Sequence, residues 1–198
     1  MTFFIANLED VKGVGQLPEF RDAMKDLEAA VQKRANDLWN GALPGGLFPT
    51  GEQYGMQPLR PPDMANDVAD STPSGTQSFR KNLLATTSSS TWRNLFNYTV
   101  RKDQVHGFAG LAVTDDVLRI NSLQFVIGQH TFPIINIEEA QRYRRFAIVW
   151  KADKGRSLVA DPNTAVTLGA YVESAGFQRV VPFGISVYRR PDLVITRT

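Results

Sequence analysis

The chain has no cysteine, so disulfide staples, thiolate nucleophiles and cysteine-ligated zinc are excluded, and packing and hydrogen bonding must hold the fold together. It has no run approaching the roughly 18 consecutive apolar residues that a membrane-spanning helix requires. The opening residues hold the apolar run Phe3-Phe4-Ile5-Ala6 but neither a basic leader nor a small-residue cleavage pattern. No secretory signal is therefore read, and use in a virion or a cytoplasmic assembly is expected. Histidine is scarce: His106 and His130 each stand beside a predicted turn with no second ligand at helical or strand spacing. Both are expected at the surface or in turns, and no metal site is expected.

Also missing are a Gly-x-Ser-x-Gly elbow, a phosphate-binding loop and a dinucleotide fingerprint. The adjacent carboxylates Asp115-Asp116 and Glu138-Glu139 would point to opposite faces of a strand, so neither is by itself a catalytic pair. The first belongs to turn vocabulary, and the second suits the first turn of a short helix, where acids meet the positive end of the dipole. No catalytic residues, no cofactor and no enzymatic activity are expected.

What is present is enough for one core. The 198 residues are 42% hydrophobic and 21% charged, close to ordinary globular usage. The formal net charge is only +2, yet it is unevenly spread: residues 1–40 and 41–80 each sum to −2, and residues 81–198 sum to +6. An acidic front and a basic back suit attraction between copies, or are ordinary surface scatter.

Three segments follow. Residues 1–40 carry one amphipathic helix, expected over about 18–40, opened by Pro18 and supported by Glu19 and Asp22 near its N-terminus. Phe20, Met24, Leu27, Val31, Ala35 and Leu38 form its apolar stripe at steps of three and four. Gly41 and Pro44 end it. The stripe is expected to dock either on the protein's own β domain or on a neighbouring copy.

Residues 41–91 read as a Pro/Gly-rich extended arm and hinge. Six of the eleven prolines and six of the fifteen glycines fall within residues 41–80. Large apolar side chains punctuate this arm, and Leu47, Phe48, Tyr54, Met56, Leu59 and Met64 are read as its anchors. They seat either on another surface or around the arm's own domain.

Residues 92–198 are a series of short β runs broken by turn residues, with strands expected at 92–101, 107–113, 117–127, 131–137, 145–151, 165–172, 177–188 and 193–196. Trp92, Asn94, Phe96, Tyr98 and Val100 are read as one face of the first. Pro133 and Pro182 inside apolar runs point to edges or bulges. The fold class expected is mainly β: an antiparallel sandwich, jelly-roll-like body or barrel, preceded by one amphipathic helix and a long arm.

A basic cluster, Arg142, Arg144, Arg145, Lys151, Lys154 and Arg156, is the strongest site for an anionic partner. It suits an acidic protein surface or plain solvation better than nucleic acid, and the acidic N-terminal region disfavours a genome-binding arm. Helix, arm and β body together resemble the architecture of virion coat, cement and decoration proteins. The function expected is thus structural: a shell component that contacts copies of itself or another shell protein through helix and arm. The competing reading is a carbohydrate- or ligand-binding sandwich with Trp92, Trp150 or Tyr171 as a stacking platform.

Overall fold

The computed structural model of the chain describes residues 2–8, 14–39, 54–60, 64, 79–84, 92–115, 117–143, 145–151 and 158–189. These residues are mainly β, arranged as two antiparallel sheets in an open sandwich with one α-helix. The larger sheet contains β1 (Thr2–Asn7), β2 (Tyr54–Pro58), β3 (Arg80–Leu83), β5 (Gln104–Val113), β9 (Phe146–Lys151), β10 (Leu158–Ala160) and β12 (Gly176–Arg189). The smaller contains β4 (Arg93–Thr99), β6 (Ile120–Ile127), β7 (His130–Thr131), β8 (Ile135–Asn136) and β11 (Ala165–Val172).

From β2 onward strand pairing is nested, with the earliest partners in sequence matched to the last. β2 and β3 pair β12, β4 pairs β11, β5 pairs β9 and β10, and β6 pairs β7 and β8. The chain therefore folds as a long double ribbon whose tip is the Gly128 turn, where φ of +59° suits a residue without a side chain. Three further pairings complete the two sheets: β5 with β12, β6 with β11, and the first strand, β1, with β9.

The main core lies between the sheets. Phe108, Leu111, Phe146, Ile148 and Trp150 from the larger sheet meet Phe96, Tyr98, Leu123, Phe125, Val166 and Leu168 from the smaller. Alternation does not run unbroken through these strands. In β5, Phe108 and Leu111 both face the core although three residues apart, because Ala109 is an extra residue where the register with β12 shifts between Phe183 and Gly184. In β4 a second shift, opposite Leu168/Gly169, puts Phe96, Tyr98 and Val100 inside while exposing Asn94. Trp92 and Asn94 thus do not share a face with Phe96, contrary to the even-numbered stripe expected from sequence, since one bulged residue, Leu95, inverts the pattern.

β5 is buried along its whole length. Its second face carries α1 (Pro18–Trp39), whose Leu27, Val31, Ala35 and Trp39 pack on Val105, Ala109, Ile185 and Val187. Small residues bring the helix close: a Cβ at Gly107 would lie 2.3 Å from Val31 Cγ2 and 2.8 Å from Leu27 Cδ1. The expected stripe is therefore docked on the protein's own sheet, with Trp39 added to it.

Four strands escape the sequence reading. β1 pairs β9 from Thr2↔Lys151 to Asn7↔Phe146, β2 and β3 lie within the expected arm, and β10 adds to β5. Pro182 sits in β12, an inner strand, between the stretches paired to β3 and β2 and next to the register shift, where its missing N–H costs no sheet bond. The expected strand at 193–196 lies outside the described residues. Among the described residues, no helix is long and apolar enough to cross a membrane.

Two outcomes are expected. Gly107→Val should lower stability by about 1–3 kcal/mol, because the helix must lift to admit the new methyls, and a urea melt with unchanged m-value would check it. The chain truncated to residues 92–198 should fail to fold cooperatively, since it loses β1, β2, β3 and the helix together. A sharp thermal transition of the truncated chain by circular dichroism would contradict this account.

Candidate interaction surfaces

The helix stripe is inward: Leu27 and Val31 are buried, Phe20, Met24 and Leu38 half-buried, and Phe20 meets Phe183 edge-on at 4.9 Å. Among the arm residues, Leu59 and Met64 lie in the main core of the same chain, Met56 is exposed on β2, and Tyr54 begins that strand. Leu47 and Phe48 are outside the described residues. Of the basic cluster, Arg145 is exposed just before β9, and Arg142 ends the 3-10 turn Glu138–Arg142. Lys151 ends β9, whereas Arg144, Lys154 and Arg156 are outside the described residues. Glu138 and Glu139 occupy the first turn of that short helix, as their sequence suggests, with the Glu138 N–H donating to Asn136 Oδ1 at 2.8 Å.

His106 corrects a sequence expectation. It is fully buried as the third residue of β5, rather than at the surface or in a turn. Tyr98 Oη lies 2.8 Å from Nδ1, and Gln104 Oε1 lies 3.0 Å from Nε2. Each ring nitrogen of His106 thus has a hydrogen-bond partner inside the protein, Nε2 donating where Gln104 presents Oε1. Sequence could not place it, because a histidine two residues into a strand after a turn looks the same whether it faces water or the core. His130 is exposed and packs edge-on against Phe132 at 4.5 Å.

One end of the sandwich is braced by side chains that sequence reading did not single out. Gln178, fully buried, accepts the Arg119 backbone N–H at 2.9 Å through Oε1 and donates to Asp115 Oδ2 at 3.3 Å through Nε2. The same carboxylate oxygen accepts the Arg179 backbone N–H. Arg119 donates from Nη1 to Ala175 O at 2.8 Å and Ser174 Oγ at 3.3 Å, and its guanidinium lies over Gly176, where φ is +140° and a Cβ would come within 2.6 Å of Cζ. The loop after β5 is so tied to the turn before β12. On this end three large apolar side chains face solvent: Val117 at 55%, Phe177 at 41% and Leu84 at 67% exposure. The register, Gly176↔Leu83 and Phe177↔Asn82, places Leu84 diagonally from Phe177 at the start of β12.

The second surface is the outward face of the smaller sheet. Burial of Val166, Leu168, Ala170 and Val172 turns Thr167, Gly169 and Tyr171 outward on β11. Their register neighbours are Asn94 and Asn97 on β4 and Ser122, Gln124 and Val126 on β6. Trp92 lies over Gly169, whose added Cβ would sit 3.3 Å from Trp92 Cβ and 3.6 Å from Cε3. Trp150, by contrast, is a core residue, 4% exposed and 5.4 Å from Phe125 ring to ring, and cannot be a stacking platform.

A third feature is a shallow groove of about 520 Å³ between α1 and β10, lined by Ala29, Ala30, Lys33, Arg34, Asp37, Val159 and Asp161. Arg34 bridges it to Asp161 by two hydrogen bonds, Nε to Oδ1 at 2.8 Å and Nη2 to Oδ2 at 2.6 Å. The hydrogen bond to Asp161 raises the Arg34 guanidinium above its ordinary value, against a smaller lowering by burial. A raised cation contributes stability that is lost only as pH climbs through its own titration, so the Arg34 shift brings no pH dependence to the neutral range. Among the described residues, no group of three His, Cys, Asp or Glu side chains is placed to hold a metal ion.

No protein-family model, no curated protein and no solved structure matches the chain.

Tyr98→Phe should cost about 1–3 kcal/mol, since it removes the hydroxyl from a buried imidazole nitrogen. Arg34→Ala should cost under about 1 kcal/mol, because both partners are more than one-third exposed and screened. Chemical denaturation of the two variants should rank them in that order.

Proposed function

We propose that the protein is a structural component of an assembly, of the virion-shell kind, whose body is a jelly roll and whose self-contacts are made at its braced end. The observation that carries the reading is three exposed apolar side chains at this end: Val117 on the loop between Asp115 and Arg119, Phe177 beside Gln178 at the start of β12, and Leu84 just after β3, with that loop and strand tied by Asp115, Gln178 and Arg119. Rigid, exposed apolar patches mark contacts between proteins, because leaving them in water is unfavourable and ordering them costs little further entropy.

The nested strand pairing supports the jelly-roll part of the reading. Pairing β2 and β3 with β12, β4 with β11 and β5 with β10 along a ribbon that then forms two sheets agrees with the double Greek-key arrangement seen in capsid and lectin domains, with β1 added beside β9. Such a fold serves several functions, so it agrees with a shell role without establishing one. The helix stripe and the anchors Leu59 and Met64 are occupied within the chain, which moves the proposed contact from helix and arm to the loop end.

Sedimentation velocity between about 1 and 100 µM, with electron microscopy of the same samples, tests the proposal. Concentration-dependent oligomers are expected, and Val117→Asp with Phe177→Asp should weaken association at least about tenfold while leaving the circular dichroism spectrum unchanged. A wild-type chain that stays monomeric throughout, or a double variant that associates like wild type, would sink it.

A further inference from the structure

We infer that the outward face of the smaller sheet is a binding platform for a short neutral saccharide, with Trp92 as its stacking surface and the amides and hydroxyls beside it as its polar contacts. Four observations carry this.

The first is shape. Gly169 lacks the side chain that would otherwise fill the sheet surface beneath Trp92, so the indole rests on the strand. Tyr171 is the next outward residue on the same strand, about 7 Å away along it. Two rings on a flat sheet present C–H-accepting faces of the size of a pyranose, and aromatic rings gain from such burial while keeping a polar edge wet.

The second is chemistry. Thr167 Oγ1 donates to Asn97 Oδ1 at 3.0 Å, which orients the Asn97 amide and leaves its NH₂ to donate outward. Gln124 and Ser122 stand on β6 opposite Gly169 and Tyr171. Amides and hydroxyls that both donate and accept are what a ring of sugar hydroxyls requires.

The third is charge. The outward positions of β4, β6 and β11 described above include no charged side chain, in a chain that is 21% charged. A phosphate-bearing or acidic partner would need cations there. A neutral ligand does not.

The fourth is area. Three strands about 4.8 Å apart and seven or eight residues long offer a footprint on the order of 350 Å², against about 800 Å² per partner in a standard protein interface. A second copy would be under-served by this face, and a di- to tetrasaccharide would not.

The platform is independent of the loop-end contact, so a monomer that binds saccharide would leave it standing. The full chain is titrated with cellotetraose, chitotetraose, maltotetraose, laminaritetraose and N-acetyllactosamine, read by calorimetry and by tryptophan fluorescence. Trp39 and Trp150 are buried, only 7% and 4% exposed, so Trp92 is the indole a surface ligand would perturb. At least one sugar is expected to bind with Kd between about 10 µM and 5 mM and to shift the emission. Trp92→Ala should weaken that binding at least tenfold with an unchanged melting temperature. Should Trp92→Ala not fold, the paired variant Tyr171→Ala, Gln124→Ala should weaken it at least fivefold. Absence of binding by every sugar at about 10 mM, or wild-type affinity in a folded variant, overturns the inference. Loss of self-association on Trp92→Ala without any sugar bound would assign the face to a protein neighbour and overturn it equally.

Discussion

The structure depends on keeping β5 dry on both faces. A strand whose ten residues are all buried cannot stand at a water-exposed surface, so the larger sheet needs a layer on each side. The smaller sheet supplies one layer, and α1 supplies the other through Leu27, Val31, Ala35 and Trp39. The residues of β5 divide accordingly. Phe108, Leu111 and Val113 serve the wide inter-sheet core, while Gly107 and Ala109 leave room for the helix. The bulge at Ala109 reconciles the two demands, because without it Leu111 and Phe108 would point to opposite layers.

Around that strand, buried polar groups fix the register. His106 with Tyr98 ties the two sheets through the core, and Gln178 with Asp115 and Arg119 ties the loop after β5 to the start of β12. Slipping β12 by one residue would take Gln178 from its partners and turn Val180 and Ser186 to the opposite face, which is the kind of penalty that makes one pairing win. Trp150 Nε1 and Ser186 Oγ remain buried without a hydrogen-bond partner, so satisfaction is not complete even here.

Rigidity at the centre leaves chemistry to the periphery, and the periphery is differentiated. One end carries exposed apolar side chains beside a braced loop, the outward positions named on β4, β6 and β11 are uncharged and rich in amides and hydroxyls, and the groove by α1 is crossed by an ion pair. Such partition suits a molecule that meets a protein neighbour at one place and a small ligand at another. It follows from the layer order, since the same helix that dries the larger sheet leaves the smaller one open to solvent.

Much of this was legible in the sequence. The helix from Pro18 to Trp39 declared itself by its 3.6-residue stripe and its proline start, and β11 by unbroken alternation between two turn signals. Turns at Lys102-Asp103 and Asp161-Pro162-Asn163 were readable because their residue types supply the local bonds or, for Asn163, the positive φ of 60°. Local pattern could not reveal β1, β2, β3 and β10, which are short or glycine- and proline-interrupted and become strands only by completing an edge another strand offers. Nor could it show that Leu95 and Ala109 are bulged, that His106 is buried, or that Trp150 faces inward while Trp92 does not. Those outcomes rest on partners far along the chain, and a period-two pattern says that a strand has two faces without saying which face another layer will cover.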